Sequence, residues 1–278
     1  MEIKIQDDGH LWTQQAKRWA NVGPPGRPSE EDMKIMWKYI SPIFFEQKKV
    51  QVILLGVTPE LLNLSWPSGT TISAFDSSAS MIDGVWNPPQ GLDARICQAD
   101  WRSLPIADQS ADLIIGDGII AAAGSPSAAM HVLSELRRVL VPGGKIVLRS
   151  FVRPQKIESL EQIALEALSG QIQNFGSLKW RLAMALVDQI ESSVTIRMVQ
   201  IKFNTLFMDR IMLETVSGWS ADEIETIEAY RKMLGSFYFP TMVQLEKLLG
   251  PHFHIEDQTI GSYELSERCP IMQLYPLD

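Results

Sequence analysis

The sequence predicts an α/β fold in which helices cover both faces of a mostly parallel sheet. Strand-like and helix-like segments alternate from Val50 to about Phe151, and helix-like segments alone fill residues 156–236. Strict alternation is typical of parallel sheets, because parallel neighbours need a long crossover connection that is usually a helix. The break in the alternation predicts a helical insertion, or cap, on the sheet domain.

The N-terminal region predicts two helices separated by irregular chain. Residues 11–20 fit a short helix, and the proline- and glycine-rich residues 21–28 exclude regular structure. Ser29 is a suitable N-cap for a helix through Ile40, since Glu30, Glu31 and Asp32 favour the positive end of its dipole.

Five strands and three helices are predicted in the alternating region. The strands are apolar runs at 50–56, 71–76, 94–99, 111–116 and 145–151. A helix opens at Thr58-Pro59-Glu60, another spans 78–84, and an amphipathic one spans 127–140 until Pro142-Gly143-Gly144 stops it.

The C-terminal half predicts helices near 157–169, 177–190, 197–213, 220–234 and 241–249, followed by strands at 252–260 and 270–275. The insertion carries too many apolar residues to be a linker. It therefore packs on the sheet domain, on a substrate, or on a second copy of the chain.

The composition limits the kinds of partner that the protein is expected to have. The chain carries a formal charge of −8 and has no basic surplus, so a nucleic-acid partner is not expected. No apolar run is long enough to span a membrane, and the first residues lack the apolar core of a signal peptide. Cys97 and Cys269 form neither a disulfide framework nor a zinc site. We expect a cytoplasmic protein without a metal.

Three features fall at the carboxyl ends of predicted strands, where ligands bind in open parallel sheets. Gly56-Val57-Thr58 follow the first strand, Asp76 ends the second, and Asp100-Trp101 follow the third. Each has an ordinary structural explanation as a turn glycine, a helix cap or a core tryptophan. Their joint spacing favours a site, since a carboxylate about 20 residues after a glycine turn is placed to bind ribose hydroxyls.

The loop after the first strand indicates which class of nucleoside cofactor the site can bind. A dinucleotide needs a G-x-G-x-x-G loop so that its pyrophosphate can approach bare backbone. Gly56 is followed by V-T-P-E-L, and Glu60 would repel a phosphate. A nucleoside without phosphates, such as S-adenosylmethionine, fits better.

Two further motifs resemble a known family. Leu104-Pro105-Ile106 with Ser110–Ile114, and Arg138-Val139-Leu140 with Pro142-Gly143-Gly144, occur in order at the distances found in class I S-adenosylmethionine-dependent methyltransferases. Residues 52–152 resemble the Rossmann-like core of that family, from whose glycine-rich loop Thr58-Pro59-Glu60 departs. The resemblance implies a seven-stranded sheet whose last strand is antiparallel.

The resemblance also implies residue roles. Asp76 would bind the ribose hydroxyls and Asp100 the adenine amino group. Trp101 would pack on adenine or donate its backbone N–H to it. Asp117 and Gly118 would face the reaction centre. The expected cofactor-binding residues are Gly56, Val57, Thr58, Asp76, Ser77, Met81, Asp100, Trp101, Asp117 and Gly118. The expected substrate pocket comprises His10, Trp12, Trp19 and Tyr238; no catalytic residue is assigned.

The expected organisation has four parts. Residues 1–41 form a helical segment that covers the site, residues 42–155 the cofactor-binding core, residues 156–236 the helical cap over the substrate, and residues 237–278 a helix and strand pair that rejoin the sheet. The expected reaction is in-line transfer of a methyl group to a small molecule, leaving S-adenosylhomocysteine. A cofactor-binding protein without catalysis and a methyltransferase of protein or RNA are the alternatives. A homodimer is compatible with the sequence.

Overall fold

Seven strands form the central sheet of the computed structural model, which describes residues 19–188, 190–233 and 235–277. His10, Trp12 and most of the predicted helix at 11–20 lie outside the described residues. In chain order, the strands of the described chain are β1 (Val50–Leu55), β2 (Thr70–Asp76), β3 (Asp93–Gln98), β4 (Ala111–Asp117), β5 (Leu140–Arg149), β6 (Ser193–Thr195), β7 (Ser236–Tyr238), β8 (Phe253–Thr259) and β9 (Ile271–Pro276).

The order across the sheet is β3-β2-β1-β4-β5-β9-β8. Strands β1 to β5 pair in parallel, and β9 runs antiparallel to both of its neighbours. The predicted mostly parallel sheet with an antiparallel last strand is therefore confirmed. Strand order reverses between β1 and β4, which is the place where α/β sheets open a ligand crevice.

Helices flank this sheet and build the cap. They are α1 (Glu30–Ile40), α2 (Ile43–Glu46), α3 (Pro59–Leu62), α4 (Ala79–Val85), α5 (Ile119–Ala122), α6 (Pro126–Val139), α7 (Leu160–Leu168), α8 (Phe175–Ala185), α9 (Ile196–Leu206), α10 (Arg210–Ser217), α11 (Ala221–Glu225) and α12 (Met242–Leu249), with 3₁₀ turns at Trp19–Asn21, Thr226–Lys232 and Ser266–Arg268. No helix of the described chain has the length and apolarity that crossing a membrane requires.

Apolar residues from helices cover both faces of the sheet. Met36 and Ile40 of α1 pack on one face, and Leu133 and Leu136 of α6 pack on the other; all four are fully buried. Ser29 caps helix α1: its hydroxyl accepts a hydrogen bond from the Asp32 amide, and the Asp32 carboxylate accepts one from the Ser29 amide. The predicted N-cap is thus confirmed, and it extends to a full capping box.

Strand β5 begins earlier than the sequence predicts. It starts at Leu140 and carries Pro142-Gly143-Gly144 within it, where the register with β4 shifts between Ala111 and Leu113. Gly143 has a φ of +76°, so the tripeptide makes a bulge inside the strand instead of a separate turn.

The cap has a hydrophobic core of its own. Its buried residues include Leu178, Phe203 and Leu213, and Phe151 at the end of the sheet stacks on Trp180 with ring centroids 4.4 Å apart. Two details of the cap differ from the prediction. The helix predicted at 197–213 is interrupted between Leu206 and Arg210, and β6 and β7 form a small antiparallel sheet that no sequence pattern indicated.

Candidate active site

The carboxyl ends of β1, β2 and β4 open on one cavity of about 530 Å³, which lies between the sheet and the cap. On the sheet side, its described lining residues are Leu55, Gly56, Val57, Thr58, Asp76, Ser77, Met81, Asp100, Trp101, Arg102, Asp117, Ala122, Ala123, Gly124, Ala128 and Val132. Trp19, Ile196, Met233, Gly235, Ser236 and Phe237 line the opposite side.

Gly56 presents bare backbone to the cavity. Its φ is +89°, a conformation that side chains disfavour, and its amide donates to the carbonyl of Phe75 at 2.8 Å. A Cβ at this position would lie 3.8 Å from both the Asp76 carboxylate and the Trp101 ring. The glycine thus leaves the approach to these two side chains open.

Asp76 ends β2 with a carboxylate that is only partly used. Its Oδ1 accepts a hydrogen bond from the Ser78 amide at 2.8 Å, and no described residue donates to its Oδ2. Burial raises the pKa of Asp76 to about 6, against the weaker opposing effect of the Ser78 amide. A carboxylate that is desolvated without a cation or a second donor is suited to receive donors from a ligand.

Trp101 and Asp100 are held in different ways. The Trp101 indole N–H donates to the Phe75 carbonyl at 2.7 Å, which fixes the ring against the cavity and leaves its face available. Asp100 forms a bidentate pair with Arg102, and hydrogen bonding to this partner lowers the pKa of the Asp100 carboxyl. Asp100 is therefore an ionised, half-exposed acceptor whose position Arg102 fixes.

Asp117 belongs to a buried network of charges behind the cavity. Its carboxylate accepts from the Arg149 guanidinium at 2.7 Å and 3.2 Å, and Arg149 also donates to the carbonyl of Pro25 and lies 3.6 Å from Asp32. The Tyr263 hydroxyl lies within hydrogen-bond distance of both Arg149 and Asp32. Burial raises the pKa of Asp117, while the guanidinium partly opposes that rise.

The residues after Gly56 carry side chains where the family's loop has glycines. Thr58 is buried at the start of α3, and Glu60 pairs with Arg27 at 2.5 Å. Arg27 in turn lies over the Trp19 ring and donates to the Trp19 carbonyl. The loop and the segment from Trp19 to Arg27 are therefore tied together. The Trp19 indole N–H is buried at the cavity without a partner in the described chain.

The cap side of the cavity depends on a close approach of backbones. Gly124 has a φ of +78°, and a Cβ there would lie 2.9 Å from the Ser236 carbonyl oxygen. Any side chain at position 124 would push β7 away from the sheet. Ile196, Met233 and Phe237 are buried and present apolar surface at this side.

Most of the sequence-predicted site residues meet in this cavity. Nine of the ten expected cofactor-binding residues line it, and Trp19 does so from the N-terminal segment. Gly118 instead precedes α5 with a φ of +67°, packed against Phe151. Tyr238 is buried in the core of the sheet domain and is not among the lining residues.

Several lining residues were missed by the sequence reasoning. The most numerous are the small residues Ala122, Ala123, Gly124 and Ala128, for which the run G-I-I-A-A-A-G-S-P-S-A-A was an available signal. Small residues after a strand end permit close approach of backbone or ligand. The cap residues Ile196, Met233 and Phe237 had no local signal, because tertiary packing alone brings them to the cavity.

The fold defines a class of protein: a Rossmann-like α/β domain with the strand order of class I methyltransferases. Three solved structures share it. A putative zinc-dependent alcohol dehydrogenase from Rhodobacter sphaeroides is 14% identical, with 98% of this chain and 100% of that chain aligned at a TM-score of 0.64. The CcbJ methyltransferase from Streptomyces caelestis is 12% identical over 98% of each chain, with a TM-score of 0.55. A protein from Pyrococcus horikoshii OT3 is 16% identical over 93% of this chain and 98% of that one, with a TM-score of 0.50.

At these identities the three structures establish the shared fold and nothing about activity. In the described chain, no group of three or more histidine, cysteine or acidic side chains is placed to hold a metal ion. No curated protein matches the sequence.

The match to a known family lies in the core. Residues 56–148 match the profile described as a methyltransferase domain. The chain therefore carries a class I methyltransferase domain, an enzyme domain whose cofactor is S-adenosylmethionine. The matched segment contains all ten expected cofactor-binding residues.

The residues at the cavity are chemically suited to this cofactor. Bare backbone at Gly56, a carboxylate at Asp76 with an oxygen to spare, and the fixed ring of Trp101 suit a nucleoside with ribose hydroxyls and a flat base. Among the described lining residues of the sheet side, the single basic residue is Arg102, and Asp100 engages it.

Proposed function

We propose that this protein transfers the methyl group of S-adenosylmethionine to a small-molecule acceptor held between the sheet domain and the cap. The observation that carries the proposal is that one cavity is lined by strand-end residues of the core and by apolar residues of the cap. A cofactor on the core side and an acceptor on the cap side would then meet inside one cavity.

In this proposal the sheet side orients the cofactor. Asp76 accepts hydrogen bonds from the ribose hydroxyls, and the fixed Trp101 ring packs on the adenine. Asp100 accepts from the adenine amino group while Arg102 holds it in place. Hydrogen bonds to a charged acceptor each contribute about 1.5–3 kcal/mol. Because Asp76 accepts from the ribose hydroxyls and Asp100 from a single amino group, cofactor affinity should depend most on Asp76.

The bound cofactor supplies a methyl group already activated by a positive sulfur. The protein then has to orient the acceptor in line and keep water out, which can supply most of the rate enhancement of such a substitution. The apolar side chains of Ile196, Met233 and Phe237 are suited to excluding water. We propose that Asp117, which Arg149 engages, orients ligands rather than taking a proton.

A small acceptor agrees best with the surface and the cap. The net charge of −8 disfavours an RNA partner. Residues of the cap line one side of the cavity and limit the room for a macromolecular substrate. We therefore also propose that residues 156–236 select the acceptor and act as its cover.

Thermal denaturation with and without ligand tests the cofactor. S-adenosylhomocysteine should raise the melting temperature, because a ligand that binds only the folded state stabilises it by mass action. NADH should leave the melting temperature unchanged. A shift with NADH and none with S-adenosylhomocysteine would favour a dehydrogenase and contradict the proposal.

A screen of small amines, phenols and carboxylic acids, with S-adenosylhomocysteine formation as the readout, tests the acceptor. Turnover of a small molecule supports the proposal. Turnover confined to protein or RNA in the same assay would contradict the small-acceptor part while leaving the methyltransferase intact.

A further inference from the structure

A second cavity, of about 640 Å³, lies beside the first turn of α8. Its walls come from that turn, from the 3₁₀ turn at Thr226–Lys232, from residues 23–24 and from the loop at 262–267. None of its described lining residues belongs to the cofactor cavity. Any ligand of this space is therefore distinct from the cofactor.

Lys179 of α8 lines this second cavity with a buried amine. The side chain is 6% exposed, and its Nζ donates to the Thr226 hydroxyl at 3.0 Å. The rings of Phe175 and Tyr230 lie 5.3 Å and 5.9 Å from the Nζ. No carboxylate of the described chain forms an ion pair with it. Burial lowers the pKa of Lys179 to about 8, which is the expected response of an ammonium that has lost its water.

The carboxylates that line the same cavity are engaged elsewhere. Glu264 accepts hydrogen bonds from the amides of Gln173 and Asn174, Glu223 closes the capping box of α11, and the exposed Glu267 lies 3.4 Å from Arg268. They give the cavity a negative lining around the buried lysine without neutralising it.

These charges favour a particular kind of ligand. A buried ammonium with one neutral partner gains most from an anionic group, because charge-assisted hydrogen bonds are about twice as strong as neutral ones. The three carboxylates oppose any negative charge, and the single Lys179 ammonium can offset that repulsion for one carboxylate but not for two. Phe175 and Leu265 offer apolar surface to the rest of the ligand.

We propose that the cavity at Lys179 binds a small monocarboxylic acid, with the carboxylate beside Lys179 Nζ and an apolar body against Phe175 and Leu265. The site is separate from the methyl-transfer cavity and does not depend on the function assigned to it.

Calorimetric titration of the full chain with benzoate tests the site. Benzoate should bind, and two comparison ligands should bind at least tenfold more weakly: benzyl alcohol, which has no charge, and phthalate, which has a second carboxylate. Benzoate that shows no heat at millimolar concentration, or binds no better than benzyl alcohol, would overturn the proposal.

Variants locate the binding. Lys179→Met should weaken benzoate binding at least tenfold. Lys179→Gln keeps a polar partner for Thr226 and should weaken binding to the same extent, so it serves as the test if the methionine variant does not fold. Lys247→Gln alters an exposed lysine of α12 and should leave the affinity unchanged. Undiminished binding by a folded Lys179 variant would place benzoate elsewhere and refute the site. Cofactor affinity, measured in parallel, should be the same in all three variants.

Discussion

The sheet side and the cap side of the cofactor cavity are built on different chemistry. The sheet side carries three aspartates at or just after strand ends, and two of them have arginine partners. The cap side presents Ile196, Met233 and Phe237, which belong to the aromatic and aliphatic core of the cap. The polar side is suited to recognising a cofactor through fixed hydrogen bonds, and the apolar side to enclosing an acceptor.

The three aspartates differ as much as the two sides do. Asp100 is half exposed with a lowered pKa, the Asp117 side chain is buried against Arg149, and Asp76 is half-buried without a cation. Of the three, Asp76 alone keeps an oxygen that no described residue engages. The difference indicates that a binding residue is recognised by a polar atom that the fold leaves without a hydrogen-bond partner, and not by the residue type alone.

The largest expected effect concerns the buried charges behind the sheet side. Arg149→Met should lower the free energy of unfolding by about 3–5 kcal/mol, because it leaves Asp117 and Asp32 buried without their cation. Arg102→Met removes the exposed partner of Asp100 and should cost about 0–1 kcal/mol. Urea denaturation of both variants measures the two values. Equal losses would show that Arg149 is not the centre of the buried network.

The cap side should matter for stability and not for the cofactor. Ile196→Ala removes a side chain that is 4% exposed, so we expect a loss of about 2–5 kcal/mol, depending on how well the cavity can close. Ile201→Ala, on the exposed face of the same helix, should cost much less. The dissociation constant of S-adenosylhomocysteine, measured by calorimetry, should stay within about twofold in both variants. A tenfold change in Ile196→Ala would mean that the cap contacts the cofactor directly.

Substitution of two glycines with positive φ distinguishes the effect of backbone strain from the effect of contact with the cofactor. Gly56→Ala and Gly143→Ala should each lose about 1–2 kcal/mol of stability, because both force a side chain into the left-handed region. A Cβ at Gly143 meets nothing within 4 Å, whereas one at Gly56 enters the cofactor cavity near Asp76 and Trp101. Only Gly56→Ala should weaken S-adenosylhomocysteine binding. Equal affinities in the two variants would contradict the close approach assigned to Gly56.

The affinity of the sheet side should depend on pH through Asp76. The pKa of Asp76 is raised to about 6, so only about one molecule in ten has the ionised carboxylate at pH 5. Because the ribose hydroxyls donate best to the ionised form, S-adenosylhomocysteine should bind about tenfold more weakly at pH 5 than at pH 8. Calorimetry across this range should show the loss as pH falls through 6, and Asp76→Asn should abolish it.

The sheet side could be predicted from sequence far better than the cap side, for physical reasons. Apolar β-branched runs define parallel strands, and strand ends place Gly56, Asp76 and Trp101 at one edge without further information. Arg149 reaches Asp117 and Pro25 across long sequence separations, and β6 pairs with β7 over more than 40 residues. Such contacts depend on tertiary packing, so no local sequence pattern predicts them. The helix break between Leu206 and Arg210 was missed for a related reason, since apolar periodicity continues through it.

Replacement of the Asp76 carboxylate by the isosteric amide tests the central claim most directly. Asp76→Asn keeps an acceptor for the Ser78 amide but removes the charge, so S-adenosylhomocysteine should bind at least about tenfold more weakly, or about 1.4 kcal/mol. A folded-state pKa above the unfolded value of 3.8 means that the ionised carboxylate destabilises the free protein above pH 6.

The ligand-free Asp76→Asn protein should therefore melt at a higher temperature than the wild type at pH 7.5, while binding the ligand more weakly. Asp83→Ala, an exposed aspartate on α4, should change neither property. Weaker binding together with a higher melting temperature is the result that this account predicts. Unchanged affinity, or a lower melting temperature in Asp76→Asn, would show that Asp76 is a structural cap and contradict the assignment of the cofactor site.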